Sequence, residues 1–348
     1  MDPDLEEFVI NIKSLINRSV ILYGASDTGK STVVKDFLYH LRNLVAQIFV
    51  FAPSDPSNGD YTESETIPKP LVHYVLDATI LNNIWKRQEA LAAVYNRANN
   101  ITVLRSLFNK LNLEHVKRML IAAENCMNDR KEEVKTDFLD KNIRAKKIKE
   151  IEKLFNDMEL ILYKRYICDH RHNLAKLNLT SDEHFALKYI TFNPRTVLIF
   201  DDCATEFKKL RKQKCTVLDD ILYRGRHIYI TTFIACQDDK NLESDLRKNT
   251  FINIYTTPQC AMAFFGRAAN SFDKDTIRRA DKATKATFDV EHQKLVYVRK
   301  ENKFYRFTAT IRDPFEFGSP IIREYCKKIQ NDGVSIAADN MFIQYFKA

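Results

Sequence analysis

Glycine is scarce in this sequence. There are seven in 348 residues, about a third of the usual frequency in soluble proteins. So few leave no room for glycine-rich repeats or linkers, and neither an internal repeat nor a low-complexity segment is found. Three of the seven, Gly24, Gly29 and Gly225, fall in the motifs below. Long apolar runs are missing too. The longest, 197–200 and 228–236, are strand-sized and far short of spanning a bilayer, so no transmembrane segment is expected. The opening Met1-Asp2-Pro3-Asp4-Leu5-Glu6-Glu7 is acidic and has no apolar core, which argues against a secretory signal. The cysteines number seven, with no close pair at redox or metal-ligand spacing, so free thiols in a reducing compartment are expected. Cys168-Asp169-His170-Arg171-His172 alternates ligand types without a second cysteine pair, and a structural zinc site is not expected there. No nucleophile elbow and no Ser-His-Asp or Cys-His arrangement stands out.

What is present is the composition of an ordinary folded protein, 45% hydrophobic and 29% charged. The length suits one large α/β domain with an insertion, or two modest domains. A net charge of +8 and a pI near 8.9 suit a polyanionic partner without proving one. Along the chain, residues 19–23 read as a strand, 30–45 as an amphipathic helix and 47–51 as a second strand. A turn-rich stretch runs from 54 to 70, and 71–76 suggests a short extra strand. From 78 to 192 the chain turns helical and charged, with Ile148, Ile151, Phe155, Met158 and Leu162 marking one buried face. That segment is too long for a loop and reads as a helical insertion. Strands resume at 196–200, 227–236 and 251–255, with helices at about 203–223 and 242–249. A hairpin of 294–298 with 304–311 turns at Glu301-Asn302.

Gly24-Ala25-Ser26-Asp27-Thr28-Gly29-Lys30-Ser31, followed by Thr32, has the spacing of a P-loop: glycine, four residues, glycine, lysine, then serine or threonine. The two glycines allow backbone angles that turn successive N–H groups onto phosphate oxygens. The helix that starts there adds its unpaired N–H groups and its dipole. Lys30 would bridge the β- and γ-phosphates, and the Ser31 hydroxyl would ligate magnesium. The flanking strand and helix supply the context that a bare string match lacks. The second element is Val197-Leu198-Ile199-Phe200-Asp201-Asp202, a buried strand ending in two carboxylates. Asp201 would hold magnesium through water, and Asp202 would polarise the attacking water as general base. The next strand ends in Gln237, placed to sense the γ-phosphate or to orient that water.

With these residues in hand, the chain resembles the HerA–FtsK superfamily of DNA-pumping ATPases. Within it, the chain is similar to the genome-packaging ATPases of nucleocytoplasmic large DNA viruses, the poxvirus-type branch. GASDTGKS (24–31), VLIFDDC (197–203) and ILYRGRHIYITTFIACQD (221–238) carry the resemblance, the last most specifically. It implies an α/β fold: an ASCE/RecA-like P-loop core sheet with helices on both faces, a large helical insertion and a C-terminal β-hairpin. One strand should lie between the P-loop strand and the acidic strand. The expected segments are 1–77 and 193–312 for the core, 78–192 for the insertion and 313–348 for a tail. The resemblance further implies ATP and Mg2+, double-stranded DNA as partner, and a homo-oligomeric ring, hexamer or pentamer. It implies work at the viral factory in the host cytoplasm or in the virion, with a capsid or membrane-vertex partner met through the insertion.

One departure is that the superfamily usually has Asp-Glu where this chain has Asp201-Asp202, so Glu206 is an alternative base. Arg224 and Arg226 are the expected arginines acting on a neighbour's γ-phosphate, with Arg267 and Arg278 behind them. The run Lys208, Lys209, Arg211, Lys212 and Lys214 could track DNA phosphates without reading bases. A second run, Arg144, Lys146, Lys147 and Lys149, is followed by Glu150 and Glu152 and reads as a helix of mixed charge. Two other readings use the same loop: a small-molecule P-loop kinase, for which no arginine-rich lid is evident, and an assembly protein locked by nucleotide without turnover.

Overall fold

The computed structural model describes residues 5–63, 66–138 and 140–332. Most of the acidic opening and the tail past Asp332 therefore lie outside the described residues. The chain divides into two compact units, one of Met1–Ala92 with Asn193–Ala348 and one of Ala93–Phe192.

The first unit is built on an eight-stranded sheet. Its first strand, β1 (Ser19–Tyr23), runs into the P-loop and then α1 (Lys30–Leu41). β2 (Gln47–Phe51) follows, then the two-residue β3 (Val72–His73) and α2 (Ala78–Ala98). In the second unit come α3 (Ile101–Lys110), α4 (Glu114–Asp137), α5 (Lys141–Asp169) and α6 (Ser181–Tyr189). The first unit resumes with β4 (Thr196–Asp201), α7 (Ala204–Lys212), β5 (Ile230–Cys236), α8 (Ser244–Asn249) and β6 (Ile252–Tyr255). α9 (Pro258–Gly266) and α10 (Lys274–Phe288) lead to β7 (Gln293–Val298) and β8 (Lys303–Thr308), and α11 (Pro320–Asp332) follows.

The strand order is β3-β2-β4-β5-β1-β6-β7-β8. β1 to β6 pair in parallel, and β7 and β8 are antiparallel additions. Every residue of β2, β4, β5 and β6 is buried. A strand buried at both odd and even positions has both faces covered, as in α/β proteins with helices on both sides. β5 lies between β1 and β4, the extra strand that the resemblance implied.

Several boundaries shift for local reasons. The strand expected from residue 227 starts at Ile230, because residues 225–228 form a tight turn and Tyr229 sits at φ 68°. The helix expected over 203–223 breaks after Lys212, where Lys214 takes φ 55°. β8 stops at Thr308 rather than 311, and Ile311 is exposed. α9 and α10 were not anticipated from the sequence. The compact second unit begins at Ala93 rather than 78, because the start of α2 belongs to the first. There Gln88 Nε2 donates to Pro194 O at 2.6 Å and Ile228 O at 2.8 Å, and its Oε1 accepts from Thr196. Within the expected tail, Ile322, Cys326 and Ile329 of α11 join the core.

The second unit has its own apolar centre, with Leu104, Phe108, Val116, Tyr163, Ile167 and Ala186. The expected face of α5, Ile148 to Leu162, is only half-buried; Glu159, Tyr163 and Ile167 are its deepest residues. Glu159 is satisfied there by Arg105 at 3.0 Å and the Tyr163 hydroxyl at 2.7 Å. No helix of the described residues is long and apolar enough to cross a membrane, and all seven cysteines are free.

Candidate functional site

The parallel strands β1, β4 and β5 end side by side, and the chain emerging from them builds the site. Gly24 leaves β1 with its N–H on Cys236 O of β5. A Cβ there would fall 1.7 Å from Thr256 Oγ1, so only glycine fits against the end of β6. Asp27 and Gly29 take positive φ, 58° and 86°, which curls the loop into a backbone nest. Among the described residues, no N–H from Ala25 to Gly29 donates to a protein acceptor. Five adjacent donors without partners at a helix start fit a phosphate group. Lys30, 8% exposed, turns back so that its Nζ donates to Gly24 O at 2.9 Å and Ala25 O at 2.7 Å. Those two carbonyls hold the ammonium at the mouth of the nest.

Asp60 and Asp201 lie beside this loop, and Asp202 follows Asp201 directly in the chain. The Ser31 hydroxyl donates to Asp60 Oδ2 at 3.0 Å. Asp201, 6% exposed, accepts from the Tyr61 hydroxyl at 3.0 Å. Burial raises the Asp201 carboxyl to about 6, with the Tyr61 hydrogen bond opposing the rise. Asp202 sits at φ 51° with its N–H on Ala235 O, and Gln237 Nε2 approaches its Oδ2 at 3.4 Å. The expected base and sensor therefore meet. Glu206 is occupied instead by Lys209 at 4.0 Å. A serine hydroxyl and a buried carboxylate beside a phosphate nest make a donor set of hard oxygens, which suits magnesium with several waters.

Four residues of this site were not singled out in the sequence. Asp60 and Tyr61 lie in the turn-rich stretch after β2, where Asp55 fixes the loop by accepting from Tyr61 N at 2.7 Å and Thr62 Oγ1 at 2.6 Å. Thr256 Oγ1 lies 2.6 Å from Thr28 Oγ1. Lys294 of β7 is 9% exposed, and its Nζ lies 3.7 Å from where a Gly29 Cβ would stand. Burial holds its ammonium below the usual lysine value. Hairpin alternation alone marks Lys294 as no more than a strand residue.

The other expected residues are elsewhere. Arg224 pairs with Asp220 at 2.8 Å, and Arg226 donates to His227 at 3.2 Å. Both precede β5, whereas the P-loop lies past the strand ends. Seven residues of strand separate the two levels, about 20 Å at the usual rise. Neither arginine meets the P-loop of its own chain. Arg267 clasps Asp239 through Nε at 2.6 Å and Nη2 at 2.8 Å, and Arg247 grips the same carboxylate at 2.5 Å. These two arginines anchor the loop just past Gln237. Arg278 is exposed and paired with Asp275 at 3.0 Å. In the basic run, Arg211 is claimed by Asp219 and Glu243, and Lys209 faces Glu206, while Lys212 and Lys214 are exposed. At the Cys168 segment, His170 Nδ1 turns to Tyr166 O, and no metal-holding group of three ligands occurs among the described residues.

No protein-family model matches the chain. Uncharacterized protein B354L of African swine fever virus, isolate Pig/Kenya/KEN-50/1950, is 32% identical over 361 residues, covering 99% of this chain and 96% of that protein. B354L of isolate Tick/Malawi/Lil 20-1/1983 matches to the same extent. Uncharacterized protein L437 of Acanthamoeba polyphaga mimivirus is 35% identical over 88 residues, 25% of this chain and 30% of that one. Among solved structures, the genome packaging NTPase B204 from Sulfolobus turreted icosahedral virus 2, in complex with AMPPCP, matches at TM-score 0.40 and 12% identity. The match covers 84% of this chain and 98% of that one. Plasmid coupling protein TrwB, with a GTP analogue, matches at TM-score 0.38 and 12% identity, over 92% of both chains.

Proposed function

We propose that this chain, which belongs to the family of the B354L proteins of African swine fever virus, is a magnesium-dependent ATPase of the HerA–FtsK type that moves double-stranded DNA. The observation that carries the nucleotide half is the loop of residues 24–31. Its free N–H groups, Lys30 and Ser31 lie at the ends of strands that also deliver Asp201, Asp202 and Gln237. The DNA half is supported by the three motifs in order, the charge of +8 and the Arg224-Gly225-Arg226-His227 segment. Packaging of a viral genome is the task this reading assigns, by a ring of like subunits in the infected cytoplasm or the virion. This reading assigns a capsid or vertex partner to the second unit.

Each residue has a task in such a cycle. The P-loop N–H groups and Lys30 hold the phosphates, and magnesium bound by Ser31 and Asp201 would spread the charge that develops in transfer. Ser31 can offer an oxygen lone pair to the metal while its proton stays on Asp60, so the loop carrying Asp60 and Tyr61 would stand beside the filled site. Asp202 accepts a proton from the attacking water while Gln237 orients it. Lys294 reaches the same phosphates from β7 as a second cation supplied by the chain itself. Arg224, which would have to leave Asp220, and Arg226 are remote from their own P-loop, and in this reading one of them serves a neighbour's.

Phosphate release with and without duplex DNA tests the reading. Turnover that rises with duplex and disappears in Lys30→Ala is expected. One rate with and without DNA, at every salt concentration, would sink it. A phosphorylated metabolite formed in step with ADP would favour a kinase instead.

A further inference from the structure

The ends of β1, β5 and β6 opposite the P-loop open on a cavity of about 480 Å³. Five cationic side chains line it, Arg18, Arg226, Lys248, Arg299 and Lys300, and among the described residues no carboxylate does. None of the five is in an ion pair among the described residues. By contrast, Arg211, Arg247 and Arg267 of the same unit are each tied to carboxylates. Arg299 is the sharpest case: its Nε and Nη2 are buried and without a hydrogen-bond partner. Arg18 lies over the Phe251 ring at 5.3 Å, which fixes the guanidinium plane and leaves its edge free.

Five like charges around one space repel each other, and buried guanidinium donors left unbonded cost free energy. Both costs vanish when an anion enters. A single inorganic phosphate would answer about two of the five charges at neutral pH. A chain of phosphodiesters supplies one charge at every step and fits the count better. We propose that this cavity grips the phosphodiester backbone of nucleic acid, without reading bases. It is a second basic surface, apart from α7, and lies at the end of the sheet away from the nucleotide. The inference rests on the reading of DNA as this protein's partner and says where on the molecule the strand is held.

The test is a titration of fluorescent duplex DNA with the full chain across a range of salt. Lys248→Ala/Lys300→Ala removes two exposed or half-exposed ammonium groups that have no ion-pair partner to orphan. At physiological salt its affinity should fall about tenfold, and the slope of log affinity against log salt should flatten by about 2. Lys248→Arg/Lys300→Arg should keep both near wild type, and DNA-free turnover and melting temperature should be unchanged in each. A double alanine variant with wild-type affinity and slope overturns the cavity as a DNA contact while leaving the ATPase reading intact. Unchanged DNA binding with loss of nucleotide-dependent self-association also overturns it, since the anion would then be a nucleotide held by a second copy. A wild-type protein that binds no duplex brings down the DNA reading and this inference together.

Discussion

The two ends of one sheet carry opposite chemistry. Past the C-terminal ends of β1, β4 and β5, most of the polar side chains already have a hydrogen-bond partner. Lys30 lies on two carbonyls, Ser31 on Asp60, Asp201 on Tyr61 and Asp202 near Gln237. At the N-terminal ends, five cations stand around a cavity with no acid beside them among the described residues. The first end is organised before any ligand arrives, which is what a chemical step needs. The second is held by charge that only a partner can neutralise, which suits a contact that must form and release at many positions along a polymer. The parallel part of the sheet permits this division because β1 to β6 all point the same way.

The largest expected effect would break the comparison if it failed. Lys30→Ala should lower turnover about a hundred- to a thousandfold while leaving duplex binding in the absence of nucleotide at its wild-type value. Phosphate release and DNA anisotropy on the same preparation decide it. Equal loss of both would mean that the two ends are not separate sites.

How much of this could be read from the residues alone differs between the ends in the same way. The P-loop and the strand ending in Asp201-Asp202 are contiguous strings whose spacing is the chemistry, and the placement of β5 between β1 and β4 followed from the family resemblance. Asp60, Tyr61 and Thr256 escaped because what matters about them is contact across the fold: Tyr61 reaches Asp201 across 140 positions, and Thr28 meets Thr256 across 228. Lys294 and the cationic cavity escaped for the same reason. The five cations come from four separate stretches of chain, around residues 18, 226, 248 and 299. The dense run at 208–214 drew notice because its charges are adjacent, yet on the fold Arg211 is neutralised. α9 and α10 carry no motif, and α10 buries small or polar residues such as Thr276, Ala280, Ala283 and Thr287 rather than an apolar stripe.

Asp201→Asn sharpens the C-terminal end by splitting stability from function. Magnesium-dependent nucleotide binding should be lost, since a neutral amide cannot replace the carboxylate. The nucleotide-free protein should nevertheless become more stable at pH 8, by about 1–3 kcal/mol, because a buried charge is removed. The sign follows from the carboxyl near 6. Between the unfolded value near 4 and the folded value near 6, the native state binds the extra proton, so wild-type stability falls as pH rises through that window. Denaturant melts at pH 5 and pH 8 should show that fall in wild type and a smaller one in the variant.

Lys294→Ala asks whether a second cation belongs to the nucleotide. Affinity for a non-hydrolysable triphosphate should fall about tenfold, and affinity for the diphosphate less, because charge-assisted bonds to the terminal phosphate are the ones removed. Lys294→Arg should recover part of the loss. Equal weakening of both nucleotides would place Lys294 in the packing of β7 and not at the γ-phosphate.

The smallest expected effect is that of Tyr61→Phe. The ring is fully buried, so the variant keeps the packing and deletes one hydroxyl that donates to Asp201. That hydrogen bond favours the ionised carboxylate and works against burial. Without it the Asp201 carboxyl should rise further above 6, and the acid limb of turnover against pH should move upward. Stability at pH 8 should fall by about 0.5–1.5 kcal/mol, the usual net worth of one hydrogen bond, and by less at pH 5, where the carboxyl is protonated in both proteins. Duplex binding without nucleotide should not change. An acid limb that stays in place would mean that Tyr61 only fills space, and that the loop carrying Asp60 meets the nucleotide site through Ser31 alone.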